Sequence, residues 1–279
     1  MPRTSMLTSK VYRGLTSPLR LLPDFLIIGG KKCGTSSLYN YLAGHPDIAP
    51  AFRKEVHFFD NSSKAGSLRY RVYFPVSAYR SYVKRRRGSG FITGEATPYY
   101  LFYPLAPKRV RRMIPEARLI VLLRNPVDRA YSHYHHEVRR GTEEATFEEA
   151  VEREARRLVG EREEILRDGG YDSLSHRRYS YLSRGIYVDQ LRNWRDHFPA
   201  EQILILKSED LYSDPASVVG QSMDFLGLPV VDSGQYGAVN RGGYRQKMEA
   251  DTREYLEAYF KPHNERLYDY LGRDFGWDR

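Results

Sequence analysis

Three short apolar runs, Phe25–Ile28, Leu119–Leu123 and Ile203–Leu206, constrain this chain more than any other feature of its sequence. None shows polar alternation, so each reads as a strand buried on both faces. Helical patterns separate them. Leu38, Tyr41 and Leu42 follow the first run and should stop near Gly44-His45-Pro46. Val127, Ala130, Tyr131, Tyr134 and Val138 follow the second, behind Asn125 as N-cap and Pro126 at the first helical position. Residues 146–168 are charged and helical in composition, Tyr187, Leu191, Trp194 and Phe198 mark a further helix, and the tail from Thr252 to Leu271 is helical with a kink expected at Pro262. Phe91-Ile92-Thr93-Gly94 reads as another strand, whereas 61–90 reads as an irregular excursion rich in tyrosine and arginine. Buried strands alternating with helices predict a parallel sheet covered on both faces. A chain of 279 residues with 41% hydrophobic content and no linker-like run supports a single α/β domain over 23–279, behind an N-terminal extension of residues 1–22. In such folds ligands sit beyond the carboxyl ends of the strands.

The net charge of +9 suits an anionic ligand, a nucleic acid or an acidic membrane surface, without choosing among them. Its densest run, Lys84-Arg85-Arg86-Arg87, reads as a solvated loop, with an anionic acceptor contact as the second reading. No nucleic-acid-binding motif accompanies it. Cys33 is the only cysteine, so no disulfide closes within the chain, which leans toward a reducing compartment. No apolar stretch is long enough to cross a membrane, and 1–22 lacks the core of a signal peptide. The expected setting is the cytosol.

The first strand runs into Gly29-Gly30-Lys31-Lys32-Cys33-Gly34-Thr35-Ser36. A strand–glycine turn–helix unit aims backbone N–H groups and the positive end of a helix at an anion. Thr35-Ser36-Ser37 adds hydroxyls that could also cap the helix. Gly29 and Gly34 have the spacing of a nucleotide-triphosphate loop, but Thr35 stands where that loop has its lysine, and the lysines here lie inside the turn. Taken alone, the loop is equally a tight turn with exposed lysines. Glu55 and His57, two residues apart, point to the same side of an extended segment. A carboxylate and an imidazole beside an anion loop suit general acid–base work, although such a pair among aromatics is more often packing than catalysis. No histidine, the pair His135-His136 included, has metal-ligand spacing.

The stretches PDFLIIGGKKCGTSSLYNYLAGHPDI, KEVHFFD and RLIVLLRNPVDRAYSHYHHEVRRG together resemble the sulfotransferase family that uses 3′-phosphoadenylyl sulfate (PAPS). The likeness is greatest to its heparan sulfate branch and bacterial relatives. SRGIYVDQLRNWRDHFP, ILILKSEDL and KPHNERLYDYLGRDFGWD extend it from about residue 23 to the C-terminus. The resemblance implies a P-loop-like fold and no metal. It implies that Lys31, Lys32, Cys33, Gly34, Thr35 and Ser36 form the 5′-phosphosulfate loop, with Lys32 as the catalytic lysine. Arg124 and Ser132 fall on the 3′-phosphate ligands, Glu55 on the catalytic base and His57 on its active-site neighbour. The chemistry agrees, since a guanidinium fork suits a terminal phosphate and a carboxylate can take a hydroxyl proton.

Two departures bear on the acceptor and on the nucleotide. Ala96 stands where the heparan sulfate enzymes usually carry a lysine on the acceptor side. Their late phosphate loop, closed by a disulfide, has as its best counterpart Arg241-Gly242-Gly243-Tyr244-Arg245, so Arg241 and Arg245 are the candidate phosphate ligands there. The expected reaction is sulfuryl transfer from PAPS to an acceptor hydroxyl or amine, releasing 3′-phosphoadenosine 5′-phosphate (PAP). A carbohydrate acceptor is favoured, with a lipid-linked sugar or small natural product as alternative. An ATP-dependent kinase and a non-catalytic anion-binding protein are the rivals from other classes.

Overall fold

The structure, a computed structural model, describes residues 10–61, 66–88, 90–231, 234, 236–237 and 247–278. Five strands, β1 (Phe25–Gly29), β2 (Ile48–Pro50), β3 (Ile92–Ala96), β4 (Arg118–Leu123) and β5 (Ile203–Lys207), form one sheet in the order β2-β3-β1-β4-β5. Every neighbouring pair is parallel. The continuous apolar runs make this sheet because alternate residues feed opposite faces. Leu26, Ile28, Leu119, Val121 and Leu123 join Tyr187, Leu191 and Trp194 in one core. Phe25, Ile27, Ile120 and Leu122 join Leu38, Leu42 and Met223 in the other. Each such side chain contributes about 1.5–3 kcal/mol when fully buried, so the double-sided sheet is the main source of stability. Gly94 on β3 is required by this packing, because a Cβ there would lie 2.5 Å from the Phe25 ring.

The helices that matter here are α1 (Thr35–Ala43), α2 (Ser77–Arg87), α3 (Pro126–Arg139), α4 (Phe147–Arg157), α5 (Glu161–Arg167), α6 (Tyr187–Arg195), α7 (Pro215–Leu226) and α8 (Ala250–Leu271). The start of α3 is as its sequence predicts. The Asn125 side chain accepts from the amides of Val127 (2.9 Å) and Asp128 (3.4 Å), with Pro126 opening the helix. Val138, assigned to the apolar face, is instead 38% exposed. Pro262 lies inside α8, which continues on both sides of it.

One strand goes beyond the sequence reading, and one expectation changes. Ile48–Pro50 pairs with β3 as an edge strand, where a proline costs no ladder bond. The 66–88 stretch is not irregular: Ser67–Arg71 and α2 are helical. Lys84–Arg87 forms the last turn of α2, where cations complement the helix dipole, and Gly88 closes it at φ 80°. The Arg80–Asp24 ion pair at 2.5 Å holds α2 beside the residue that precedes β1. The basic run thus hangs at the amino ends of the strands, opposite the carboxyl ends. Residues 17–20 also pack onto the domain, Arg20 donating to the Phe74 carbonyl at 2.7 Å.

Candidate active site

A cleft of about 790 Å³ opens at the carboxyl ends of the strands, lined in part by Lys32, Gly34–Ser37, Glu55, His57, Arg124 and Ser132. Among the described residues none of 66–88 lines it, the basic run Lys84–Arg87 included. The turn after β1 is made by Gly34 at φ 84°, where a Cβ would come within 3.1 Å of Leu211 and 3.2 Å of the Tyr212 hydroxyl. Gly34 is itself the N-cap of α1, and no side chain caps the helix, so the hydroxyls of Thr35–Ser37 do not serve as caps. The positive end of α1 therefore meets the cleft.

The two lysines of the loop have different surroundings. Lys31 Nζ lies 2.7 Å from Glu137 Oε1 and 2.8 Å from His133 Nε2, which ties the loop to α3. Burial, reinforced by the nearby Arg184 charge and opposed by Glu137, lowers Lys31 to about 7. Lys32 is lowered by burial and by the charges of Arg139 and Arg124. Cys33, by contrast, turns its side chain into the core and its carbonyl accepts from Ser208 Oγ at 2.6 Å. Its contribution is to pack the loop rather than to face a ligand.

Arg124 follows β4 directly, and its Nη1 donates to the Lys32 carbonyl at 3.3 Å. Tyr187 donates to the Arg124 carbonyl at 2.8 Å. Ser132 on α3 is buried against the same cleft. The structure thus brings together all the predicted residues that it describes, apart from the Cys33 side chain. Arg241 and Arg245 lie outside the described residues.

Glu55 and His57 meet, but not through extended backbone. Both have positive φ, 57° and 55°, and with Lys32 at 70° they are the non-glycine residues with positive φ among those described. Left-handed backbone costs a side-chain-bearing residue roughly 1–3 kcal/mol and collects where function over-determines it. His57 Nε2 lies 3.5 Å from Glu55 Oε2, and its Nδ1 donates to Asp60 Oδ2 at 2.5 Å. Lys54 Nζ contacts Glu55 Oε1 at 3.3 Å and also bonds Ser36 Oγ, linking the carboxylate to the loop. The bond to His57, with help from Lys54 and against burial, lowers Glu55 to about 2. Burial opposes a charged His57, but Asp60 and Glu55 together push it up to about 9.

These shifts give the pair a defined pH window. A lowered carboxylate stabilises the fold above its ordinary value of 4.5 and loses that contribution as pH falls toward 2. A raised imidazole stabilises below 6.5 and loses its contribution as pH rises through about 9. Both are complete only between 4.5 and 6.5. In Glu55→Gln, His57 keeps one carboxylate, so the alkaline fall in melting temperature should start near the same pH but be smaller and level off at lower pH than in the wild type. Melting curves from pH 5 to 10 check this, and superimposable alkaline limbs would contradict it.

Sequence reasoning did not single out Lys54, Asp60, Tyr99, Arg139, Arg140, Arg177 or Arg184, yet all but the first two line the cleft and those two hold Glu55 and His57. Asp60 carried a signal, three residues after His57 in a segment already under suspicion.

Residues 22–248 match the sulfotransferase domain family. Heparan sulfate glucosamine 3-O-sulfotransferase 6 of Mus musculus is 32% identical across 93% of this chain and 75% of its own length. Heparan sulfate glucosamine 3-O-sulfotransferase 3B1 of Homo sapiens is 31% identical across 92% of this chain, which spans 65% of that relative's length. A solved sulfotransferase from Alicyclobacillus acidocaldarius is 33% identical, covers 93% of this chain and 100% of its own, and superposes with a TM-score of 0.67. The residues that line the cleft fall within the matched span, and the chain belongs to the sulfotransferase family.

Proposed function

We propose that this protein transfers the sulfuryl group of PAPS to a hydroxyl of a carbohydrate acceptor and releases PAP. The observation that carries the reading is that Lys32, Glu55 and His57, the side-chain-bearing residues held in left-handed backbone among those described, all line one cleft. Strain of this kind persists only where the surroundings impose it. The carbohydrate acceptor draws support from the human and mouse relatives, whose names specify heparan sulfate glucosamine.

The residues present fit the donor. The turn 31–36 and the α1 terminus would hold its 5′-phosphosulfate, and Arg124 with Ser132 its 3′-phosphate. PAPS supplies the activated sulfuryl group. The acceptor O–H proton goes to the Glu55 carboxylate as the new O–S bond forms. The S–O bond to phosphate breaks, and the leaving phosphate keeps its electron pair. Lys32 supplies positive charge for that leaving oxygen. In the resting cleft Glu55 is a weak base because Lys54 and His57 hold it. A base works best with its pKa near the working pH, so the acceptor hydroxyl displaces one of these cations and Glu55 gains basicity as it does so. Asp60 keeps His57 oriented through Nδ1 while its other nitrogen is released.

Transfer from labelled PAPS to heparan sulfate oligosaccharides, in the presence of EDTA, tests the reading. A product mass increased by one sulfo group supports it. A strict Mg²⁺ requirement with ATP as donor would replace it with phosphoryl transfer. The 3′-phosphate assignment has its own consequence. Arg124→Ala should weaken PAP binding roughly ten- to a hundredfold by calorimetry, while AMP affinity changes little. Equal loss for both nucleotides would mean that Arg124 acts through the Lys32 carbonyl it holds.

A further inference from the structure

Residues 10–22 and 66–88 carry ten of the chain's 44 lysines and arginines and none of its 35 acidic residues. The remainder, with 34 cations against 35 acids, is close to neutral, so the net charge of +9 belongs to these two segments. The fold brings them together. Residues 10–15 are helical, and Ser17–Leu19 forms a 3₁₀ turn. Arg13 Nη1 donates to the Val72 carbonyl at 3.1 Å, the Leu21 amide to that of Pro75 at 2.9 Å, and Ser77 Oγ to that of Leu19 at 3.0 Å. The first segment therefore lies along 72–77, and α2 continues the same surface from Ser77.

Little of this charge is neutralised within the protein. Arg80 pairs with Asp24, and Arg87 lies 4.0 Å from Asp47. Lys10, Arg69, Lys84, Arg85 and Arg86 are exposed and have no ion pair among the described residues. Between these cations stand apolar side chains that the fold leaves in solvent. Val11, Tyr12, Leu15 and Leu19 are exposed on the first segment, Leu15 at 79%. Tyr79 and Tyr82 are exposed on α2, and the Arg86 Cζ lies 5.7 Å from the Tyr82 ring centroid. Phe52 joins them, with the Arg13 guanidinium laid over its exposed ring at 3.2 Å. Single exposed apolar groups are ordinary, but a cluster of them rimmed by charge marks a surface that meets a partner.

The interleaving of the two kinds of side chain selects the partner. The core of a protein–protein interface is depleted of charge, which this surface is not. A nucleic acid pairs with the cations and stacks on tyrosines, but offers nothing to Val11, Leu15 and Leu19. An anionic bilayer engages every part: its headgroups the cations, its interfacial level the tyrosines, and its upper acyl region the aliphatic side chains. No helix among the described residues is long and apolar enough to cross a membrane, so the contact is with its surface. We infer that the surface formed by residues 10–22 and 66–88 docks the protein onto a membrane leaflet rich in anionic lipid. None of these residues lines the cleft, so a docked molecule keeps its cleft open, and docking does not depend on the reaction assigned to that cleft.

Co-sedimentation tests this with vesicles of phosphatidylcholine alone and vesicles in which a third of the lipid is phosphatidylglycerol. The wild type should bind the anionic vesicles roughly a hundredfold more tightly, with affinity falling as salt rises. The triple variant Lys84→Gln, Arg85→Gln, Arg86→Gln should lose roughly a hundredfold of that affinity, and the double variant Leu15→Ser, Tyr82→Ser roughly tenfold. All five side chains are exposed, so the melting temperature should hold in both. If one variant does not fold, the other and the wild-type comparison still decide. Equal binding to the two kinds of vesicle, or binding to neither, overturns the inference with no variant needed. Undiminished vesicle binding by the triple variant overturns it as well. Full vesicle binding by the double variant, or a wild type that prefers heparin or single-stranded DNA to anionic vesicles, assigns the surface to a soluble polyanion instead.

Discussion

Glu55→Gln is expected to lower sulfuryl transfer by roughly 10²–10⁴ while PAP affinity stays near that of the wild type. The substitution keeps the size of the side chain and its place in the left-handed turn but removes the proton acceptor. The carboxylate touches Lys54 and His57 rather than the Arg124 and Ser132 side of the cleft, so nucleotide binding has little reason to change. A purely structural role predicts something else. Lys54 bridges Glu55 and Ser36, so loss of that bridge would loosen the anion loop and reduce nucleotide affinity and melting temperature together. Turnover, PAP affinity and melting temperature measured on one preparation separate the two. Near-normal turnover in a well-folded variant would remove Glu55 as the base and leave His57, already oriented by Asp60, as the candidate.

Lys32→Ala should lower kcat by roughly 10²–10³, the usual effect of losing one preorganised electrostatic contact to a developing charge. The KM for PAPS should change far less, because the α1 terminus, Ser36 and Arg124 remain. Lys32 is the better choice of the two loop lysines because Lys31 is occupied by Glu137 and His133. Lys31→Met should therefore show the opposite pattern, a fall in melting temperature before any selective fall in kcat. An equal loss of kcat and of PAP affinity in Lys32→Ala would mean that the lysine binds ground-state phosphate and adds nothing specific to the transition state.

The sheet was legible because its strands are buried on both faces, so Phe25–Ile28, Leu119–Leu123 and Ile203–Leu206 carry no polar residue to obscure them. Asn125-Pro126 marked the start of α3 with equal clarity, since both residues act locally. β2 was not legible: Ile48-Ala49-Pro50 is short, ends in proline and exists only by pairing with β3. α2 was hidden because Val83 is its one fully buried side chain, so no apolar stripe betrays it. Glu55 and His57 were placed together for a reason the backbone does not obey. Alternation assumes extended geometry, and the segment achieves the same juxtaposition through two left-handed residues. Arg184 lies in SRGIYVDQLRNWRDHFP, one of the stretches of the likeness, but its place at the cleft wall and its stacking on Tyr99 and Phe102 come from the fold and were not legible.

The left-handed trio also bears on how such a protein can change over time. Glycine at 32, 55 or 57 would relax the backbone while deleting a reacting or supporting side chain. At 55 and 57 the same glycine would also forfeit the Glu55–His57 and His57–Asp60 contacts, so strain and its local compensation come as one unit there. Selection for thermal endurance alone would then act chiefly on the two cores flanking the sheet and leave the strained turn as it is.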